Sequence, residues 1–117
     1  MSMKKEEVYQ EMKEEDVVVL NILPAEEYGK VHIRGSFNVA LGDDHQAFIR
    51  AVEDHFGRDK FFITYSSDRK SQKGWEAAKI LTTDGFNAED LTGGLQEWME
   101  SGYPVDGSKA EELAVLD

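Results

Sequence analysis

The residues with chemistry to offer lie together between positions 61 and 73. Phe61-Phe62-Ile63-Thr64-Tyr65 is an apolar run that stops at the polar stretch Ser66-Ser67-Asp68-Arg69-Lys70-Ser71, and a helical pattern opens at Gln72. Strand, loop and helix in that order leave the backbone N–H groups of the loop free to converge on a cup, and the positive end of the next helix dipole adds to them. Such a cup suits an anion. It also lowers the pKa of a thiol placed at its rim, the usual way of making a reactive cysteine. The chain has no cysteine, so Ser66, Ser67, Asp68, Arg69, Lys70 and Ser71, with basic Lys73 close by, define an anion-binding loop without a thiolate.

Other chemistries find less support. A nucleophilic Ser66 needs a general base within hydrogen-bond reach and a group to orient that base. The histidines are His32, His45 and His55, and none falls in or beside the loop. Asp68 is of the type that fixes a turn through bonds to its own backbone. The histidines lack i, i+4 spacing with a carboxylate partner, and the acids sit on helical faces rather than in the alternating pattern of a calcium loop. No metal and no cofactor is assigned. Trp75 and Trp98 fall on apolar helix faces, which predicts core packing for both.

The elements that must position the loop are those of one small domain. At 117 residues, 40% hydrophobic and 10% aromatic, the chain can build one core and not two. It contains no apolar run of about 18 residues, and Met1-Ser2-Met3-Lys4-Lys5 leads into acids rather than the apolar core of a signal peptide, so a cytoplasmic protein without a membrane segment is expected. The formal charge of −11 argues against nucleic acid and anionic membrane surfaces as partners. Acids crowd Glu6 to Asp16 and the tail from Asp106, whereas Arg69, Lys70 and Lys73 gather at the loop.

In order, the pattern predicts an amphipathic helix over Lys4 to Glu14, a fully covered strand at Val17-Val18-Val19-Leu20, and a short helix after Pro24. A turn into a second short strand follows over His32 to Val39. Asp43 to Phe56 reads as a helix stopped by Gly57, Phe61 to Tyr65 as the best strand, and Gln72 to Asp84 as a helix closed by Gly85. Ala88 to Leu91 is a weak strand, Leu95 to Met99 a short helix, and Lys109 to Leu116 a loose one. The organisation expected is an N-terminal helix (1–16) packed on a domain (17–105), with an acidic tail (106–117). Strands alternating with helices imply an α/β fold with a mainly parallel sheet and a site at the carboxyl ends of its strands.

Two ordered motifs carry a resemblance to one family. Asn21-Ile22-Leu23-Pro24-Ala25-Glu26-Glu27-Tyr28, then Val31-His32-Ile33-Arg34-Gly35-Ser36 and Asn38, resemble the opening pattern of rhodanese-like domains. Gly85-Phe86, then Leu91-Thr92-Gly93-Gly94 and Trp98 to Gly102-Tyr103-Pro104-Val105, resemble the closing one. The resemblance implies a three-layer α/β/α rhodanese-like domain over about Val17 to Val105. It also implies that 66–71 is the active-site loop, that the sulfur-carrying cysteine of active members stands at Ser66, and that a second cysteine of some members stands at Ser71. The motif histidine, His32, is implied to pack and hydrogen-bond.

A thiol of pKa about 8.5 can be pulled below neutrality by such a cup. A serine hydroxyl stays protonated there, and oxygen does not hold sulfur as a transferable adduct. The expected function is a rhodanese-like domain whose loop still takes a small anion (thiosulfate, sulfate or phosphate) or a protein partner, without sulfurtransferase activity. Two alternatives stand beside it. One is a thiosulfate or polysulfide sulfurtransferase in which serine has replaced the cysteines, and the other is a purely structural interaction module.

Overall fold

The structure, a computed structural model, describes residues 2–113. Five parallel strands form the central sheet in the order β1 (Ser2–Met3), β6 (Asn87–Leu91), β5 (Phe61–Tyr65), β2 (Val17–Asn21) and β4 (Phe37–Asn38). β2 and β5 align residue for residue from Val17 opposite Phe61 to Asn21 opposite Tyr65. Successive side chains of a strand point to opposite faces, so each strand feeds two cores. Val18, Leu20, Phe62 and Ala88 pack with Phe48, Val52, Ala77 and Leu81 of α3 (His45–Phe56) and α4 (Lys73–Thr83). Val19, Ile63, Tyr65 and Leu91 pack with Val8, Leu95 and Trp98 of α1 (Lys5–Glu11) and α5 (Gly94–Glu100). Cover on both faces explains why β2 and β5 read as unbroken apolar runs. The result is the expected three-layer α/β/α architecture.

Local chemistry sets the element ends. α2 (Ala25–Lys30) starts after Pro24, where a missing N–H costs nothing. α3 starts at Asp44, whose carboxylate accepts the Ala47 N–H at 3.0 Å, and stops at Gly57, whose φ of +74° lies in the region that favours glycine. His45 and His55 lie exposed on α3.

Three features depart from the sequence reading. Ser2 and Met3 form an edge strand on β6, and the helix behind them is shorter than Lys4 to Glu14. His32–Ile33 (β3) pairs antiparallel with Val105–Asp106 (β7) in a second sheet, where the Arg34 side chain also meets Asp106 at 3.1 Å. Strands of two residues are too short for alternation to announce them. Trp75, expected in the core, is 45% exposed, while Trp98 is 1% exposed as expected. The buried stripe of α4 is Gly74, Ala77, Ala78 and Leu81, spaced i, i+3, i+4, i+7, which leaves position 75 off the sheet-facing side. The helix lies close there: a Cβ on Gly74 would meet the Ser66 nitrogen at 3.2 Å and the Tyr65 Cα at 3.3 Å, so a large residue is excluded from the inner face. Of the loose terminal helix, Ala110–Leu113 (α6) is helical, and 114–116 lie outside the described residues.

One buried polar network joins β2, β3 and β5. The Tyr65 hydroxyl accepts from Asn21 Nδ2 and from the Ile33 N–H, each at 3.0 Å. Ser36 donates its own proton to the Ile33 carbonyl (2.7 Å), so the 2.8 Å contact between Ser36 Oγ and Tyr65 is a bond that Tyr65 donates. Burial pushes the Tyr65 pKa up to about 12, the hydrogen bonds with Ser36, Asn21 and Ile33 opposing it only in part.

Tyr65→Phe removes the acceptor for two buried donors, at about 1–3 kcal/mol each, so urea denaturation should show a loss of about 2–6 kcal/mol without a change of fold. A second effect follows from linkage. Unfolded tyrosine releases its proton near pH 10 and folded Tyr65 holds it to about 12, so the unfolded state binds fewer protons and stability falls across that window. The fall expected from Tyr65 between pH 9 and 11.5 is about 2 kcal/mol. Urea midpoints at pH 9 and 11.5 should show it in the parent and much less of it in Tyr65→Phe, where Tyr28, also raised by burial, supplies the remainder.

Candidate functional site

β5 ends at Tyr65, and the chain passes through Ser66 to Gln72 before α4 begins. Two carbonyls of this loop are fixed from outside it. The Leu95 N–H donates to the Ser66 carbonyl at 2.9 Å and the Gln96 N–H to the Ser67 carbonyl at 2.8 Å. No peptide bond among the described residues is cis, and in a trans peptide the C=O and N–H point opposite ways. Holding these carbonyls toward α5 therefore turns the N–H groups of Ser67 and Asp68 away from it. The approach is close enough to require glycine: a Cβ on Gly94, at φ +61°, would lie 2.6 Å from the Ser66 carbonyl oxygen.

Of the loop amides, that of Ser71 donates to Asp68, at 3.0 Å to the side chain and 3.3 Å to the carbonyl. Asp68 thus fixes the turn, as its type suggested. Among the described residues, the N–H groups of Ser66, Ser67, Asp68, Arg69, Lys70 and Gln72 meet no acceptor. Beside them lies a cavity of about 450 Å³, lined from the loop by Ser66, Asp68, Arg69 and Ser71, and from elsewhere by Gly74, Trp75, Asp90 and Thr92 among others.

Ser66 is 3% exposed and its hydroxyl makes no hydrogen bond among the described residues. No fully enclosed side-chain oxygen or nitrogen there lacks a partner, so the small exposed part of Ser66 includes its Oγ, open to the cavity it lines. Among the described residues no base stands ready to activate it. His32 stacks on Tyr28 with ring centres 3.8 Å apart, its Nδ1 is 2.7 Å from the Tyr28 carbonyl, and none of the three histidines lines the cavity. Asp68 is bound to its turn, and Asp90 accepts from the Ser2 hydroxyl at 2.7 Å.

The basic spot seen in the sequence divides. Arg69 lines the cavity, but its Nε is 2.7 Å from Glu97, whose carboxyl is held below the usual carboxylate range mainly by that bond. Lys70 and Lys73 are exposed and, like Ser67, do not line the cavity. Asp90, Ser2 and Trp75 were not legible as wall residues. Asp90 lies one residue from the end of β6, next to β5, so the rule that sites gather at the carboxyl ends of parallel strands was the one signal for it. Ser2 had none, since its place depends on an edge strand of two residues.

With this geometry in hand, the comparisons with known proteins agree on the fold. A protein from Bacillus halodurans superposes with a TM-score of 0.81 at 20% identity, over 92% of this chain and 77% of that one. A rhodanese-related protein from Thermoplasma volcanium does so at 0.73 and 26% identity, over 90% and 96%. A thiosulfate sulfurtransferase from Pseudomonas aeruginosa matches at 0.74 and 19% identity, over 93% of this chain but only 20% of its own length. No curated protein matches the sequence. The rhodanese-like domain model matches residues 4–101, nearly the whole of the described fold, and the chain belongs to the rhodanese-like domain family.

Proposed function

We propose that this is a rhodanese-like domain without sulfurtransferase activity, whose loop binds a small oxyanion such as thiosulfate, sulfate or phosphate, or the acidic group of a protein partner. The observation that supports this reading is that the amides of Ser66, Ser67, Asp68, Arg69, Lys70 and Gln72 lack acceptors among the described residues, beside a cavity lined by a Ser66 hydroxyl where a thiolate would be needed. Sulfur transfer from thiosulfate requires a thiolate to attack the sulfane sulfur, form S–S, release sulfite, and then yield that sulfur to an acceptor. Ser66 supplies neither the anionic nucleophile nor a stable carrier. Converging backbone amides bind oxyanions by short hydrogen bonds that need no neighbouring cation.

The walls limit how tightly. Asp68 and Asp90 place two carboxylates on the cavity, and its one arginine is engaged by Glu97. Like charge opposes a dianion more than a monoanion. A dissociation constant in the millimolar range, about −4 kcal/mol, is expected for sulfate.

Titration of the 15N-labelled protein with sodium sulfate should shift the amide signals of 66–72 with that affinity, against sodium chloride at equal ionic strength. Gly94→Ala, which forces the loop off α5, should weaken the response at least tenfold. Unmoved loop amides would favour the structural module instead. Ser66→Cys tests the alternative of a substituted sulfurtransferase. The variant is expected to produce thiocyanate from thiosulfate and cyanide only weakly, because Asp68 and Asp90 oppose a thiolate. Activity in the protein with Ser66 would refute the reading.

A further inference from the structure

Trp75 is where this structure departs most from what its sequence predicts, and its surroundings give the exposure a use. The indole lines the cavity beside the loop and also a second hollow of about 460 Å³ between α3 and α4. Ile49 and Ile80 make the apolar floor of that hollow, Glu76 and Lys79 stand at its edge, and Thr83 lies toward its far end. The Lys79 ammonium sits 5.0 Å above the Trp75 ring, which orders the indole without covering it. Trp75 is thus the wall shared by a hollow with free amides and a hollow that is mainly apolar.

Size and charge select the occupant. From Trp75 to Thr83 the groove follows α4 for about 12 Å, at 1.5 Å per residue. That length takes three to four residues of extended chain at about 3.3 Å each, and far exceeds a lone oxyanion. Asp68 and Asp90 in the cup favour the oxyanion of least charge, which a carboxylate is. Of the groove's charges, Lys79 lies over Trp75 and Asp84 pairs with Arg58, while Glu76 has no ion-pair partner among the described residues; with the −11 charge of the chain this favours a basic residue in the bound segment over an acidic one.

We propose that cup and groove together bind the C-terminal segment of a protein partner. The terminal carboxylate accepts from the free amides of the 66–72 loop, the last side chain is apolar and lies on Trp75, and the two or three preceding residues run along α3 and α4 with a basic side chain near Glu76. Backbone amides that capture a chain terminus, next to a pocket that reads its last side chain, form a known mode of peptide recognition. The proposal rests on the cup accepting an oxyanion, and adds the partner that supplies it.

The probe is N-acetylated Ala-Lys-Ala-Leu, as the free acid and as the C-terminal amide, titrated into the 15N-labelled protein while the 66–72 amides and the Trp75 indole signal are followed. The acid should move both sets, at least tenfold more tightly than the amide and than sulfate. Trp75→Ala, a change at an exposed position, should lose at least tenfold for the peptide, and Trp75→Phe should restore part of the loss. Equal binding of acid and amide would overturn the proposal, as would an unchanged affinity in Trp75→Ala. If 4-methylpentanoate binds as tightly as the peptide, the occupant is a small carboxylic acid and the partner is refuted. Sulfate shifts without peptide shifts would refute this proposal and leave the anion cup standing, whereas the absence of both would refute the two together.

Discussion

The loop after β5 keeps its shape because two of its carbonyls are held from outside. The Leu95 and Gln96 amides take the Ser66 and Ser67 carbonyls, and planarity of the trans peptide then dictates where the next two N–H groups point. Gly94 makes the approach possible, since any Cβ there would strike the Ser66 oxygen. A stretch of chain that would otherwise fold its amides onto its own carbonyls is left with them unsatisfied. The orientation of the cup is therefore a property of α5 and the turn before it, more than of the loop's own side chains.

The other end of the constraint lies one residue back. Tyr65 is fully buried and its hydroxyl has all its bonding capacity used, by Asn21, Ile33 and Ser36. Asn21 in turn accepts from the Leu23 N–H at 2.9 Å, and Asn38 Nδ2 reaches the carbonyls of Asn21 and Leu23 at 3.1 and 2.8 Å. These polar residues lie at the carboxyl ends of β2, β4 and β5, where the strands leave the sheet. A satisfied polar network of this kind admits one arrangement of the strand ends, while an apolar contact would admit several. Ser66 thus starts from a fixed point and meets a fixed point, and the intervening turn is closed by Asp68 onto Ser71.

What was legible in the sequence follows from where each constraint is encoded. The two central strands, α3 and α4 announced themselves through local periodicity and stop signals. Asp68 as a turn former and His32 as a packing residue were readable from residue type and motif position. The position of Trp75 was not. The pattern placed this tryptophan on an apolar helix face, but the inner stripe runs through Gly74, Ala77, Ala78 and Leu81, because α4 sits too close to β5 for a large side chain. That spacing between layers is a tertiary quantity with no local signature. Likewise Ser2 reaches Asp90 across most of the chain's length, through an edge strand too short to show a pattern, and so the acidic wall of the cavity stayed hidden. The charges of the loop misled in the opposite sense: Arg69 faces the cavity yet is already paired, and Lys70 and Lys73 stay outside its lining.

These facts separate two properties that active members of the family combine. Sulfur transfer needs the cup and a thiolate together, the cup to stabilise charge and the thiolate to carry sulfur. In this chain nothing that orients the amides involves the side chain of residue 66, so a hydroxyl there in place of a thiol leaves their orientation unchanged. Gly94 and the Tyr65 network keep the loop from closing over its own polar groups. A rigid set of donors with no internal acceptor has unmet hydrogen-bonding capacity that only water or a ligand can satisfy, and the exposed indole beside it offers an apolar surface that water satisfies poorly. A ligand that meets both needs at once must carry an oxyanion joined to an apolar group, which is the chemistry at the end of a polypeptide chain.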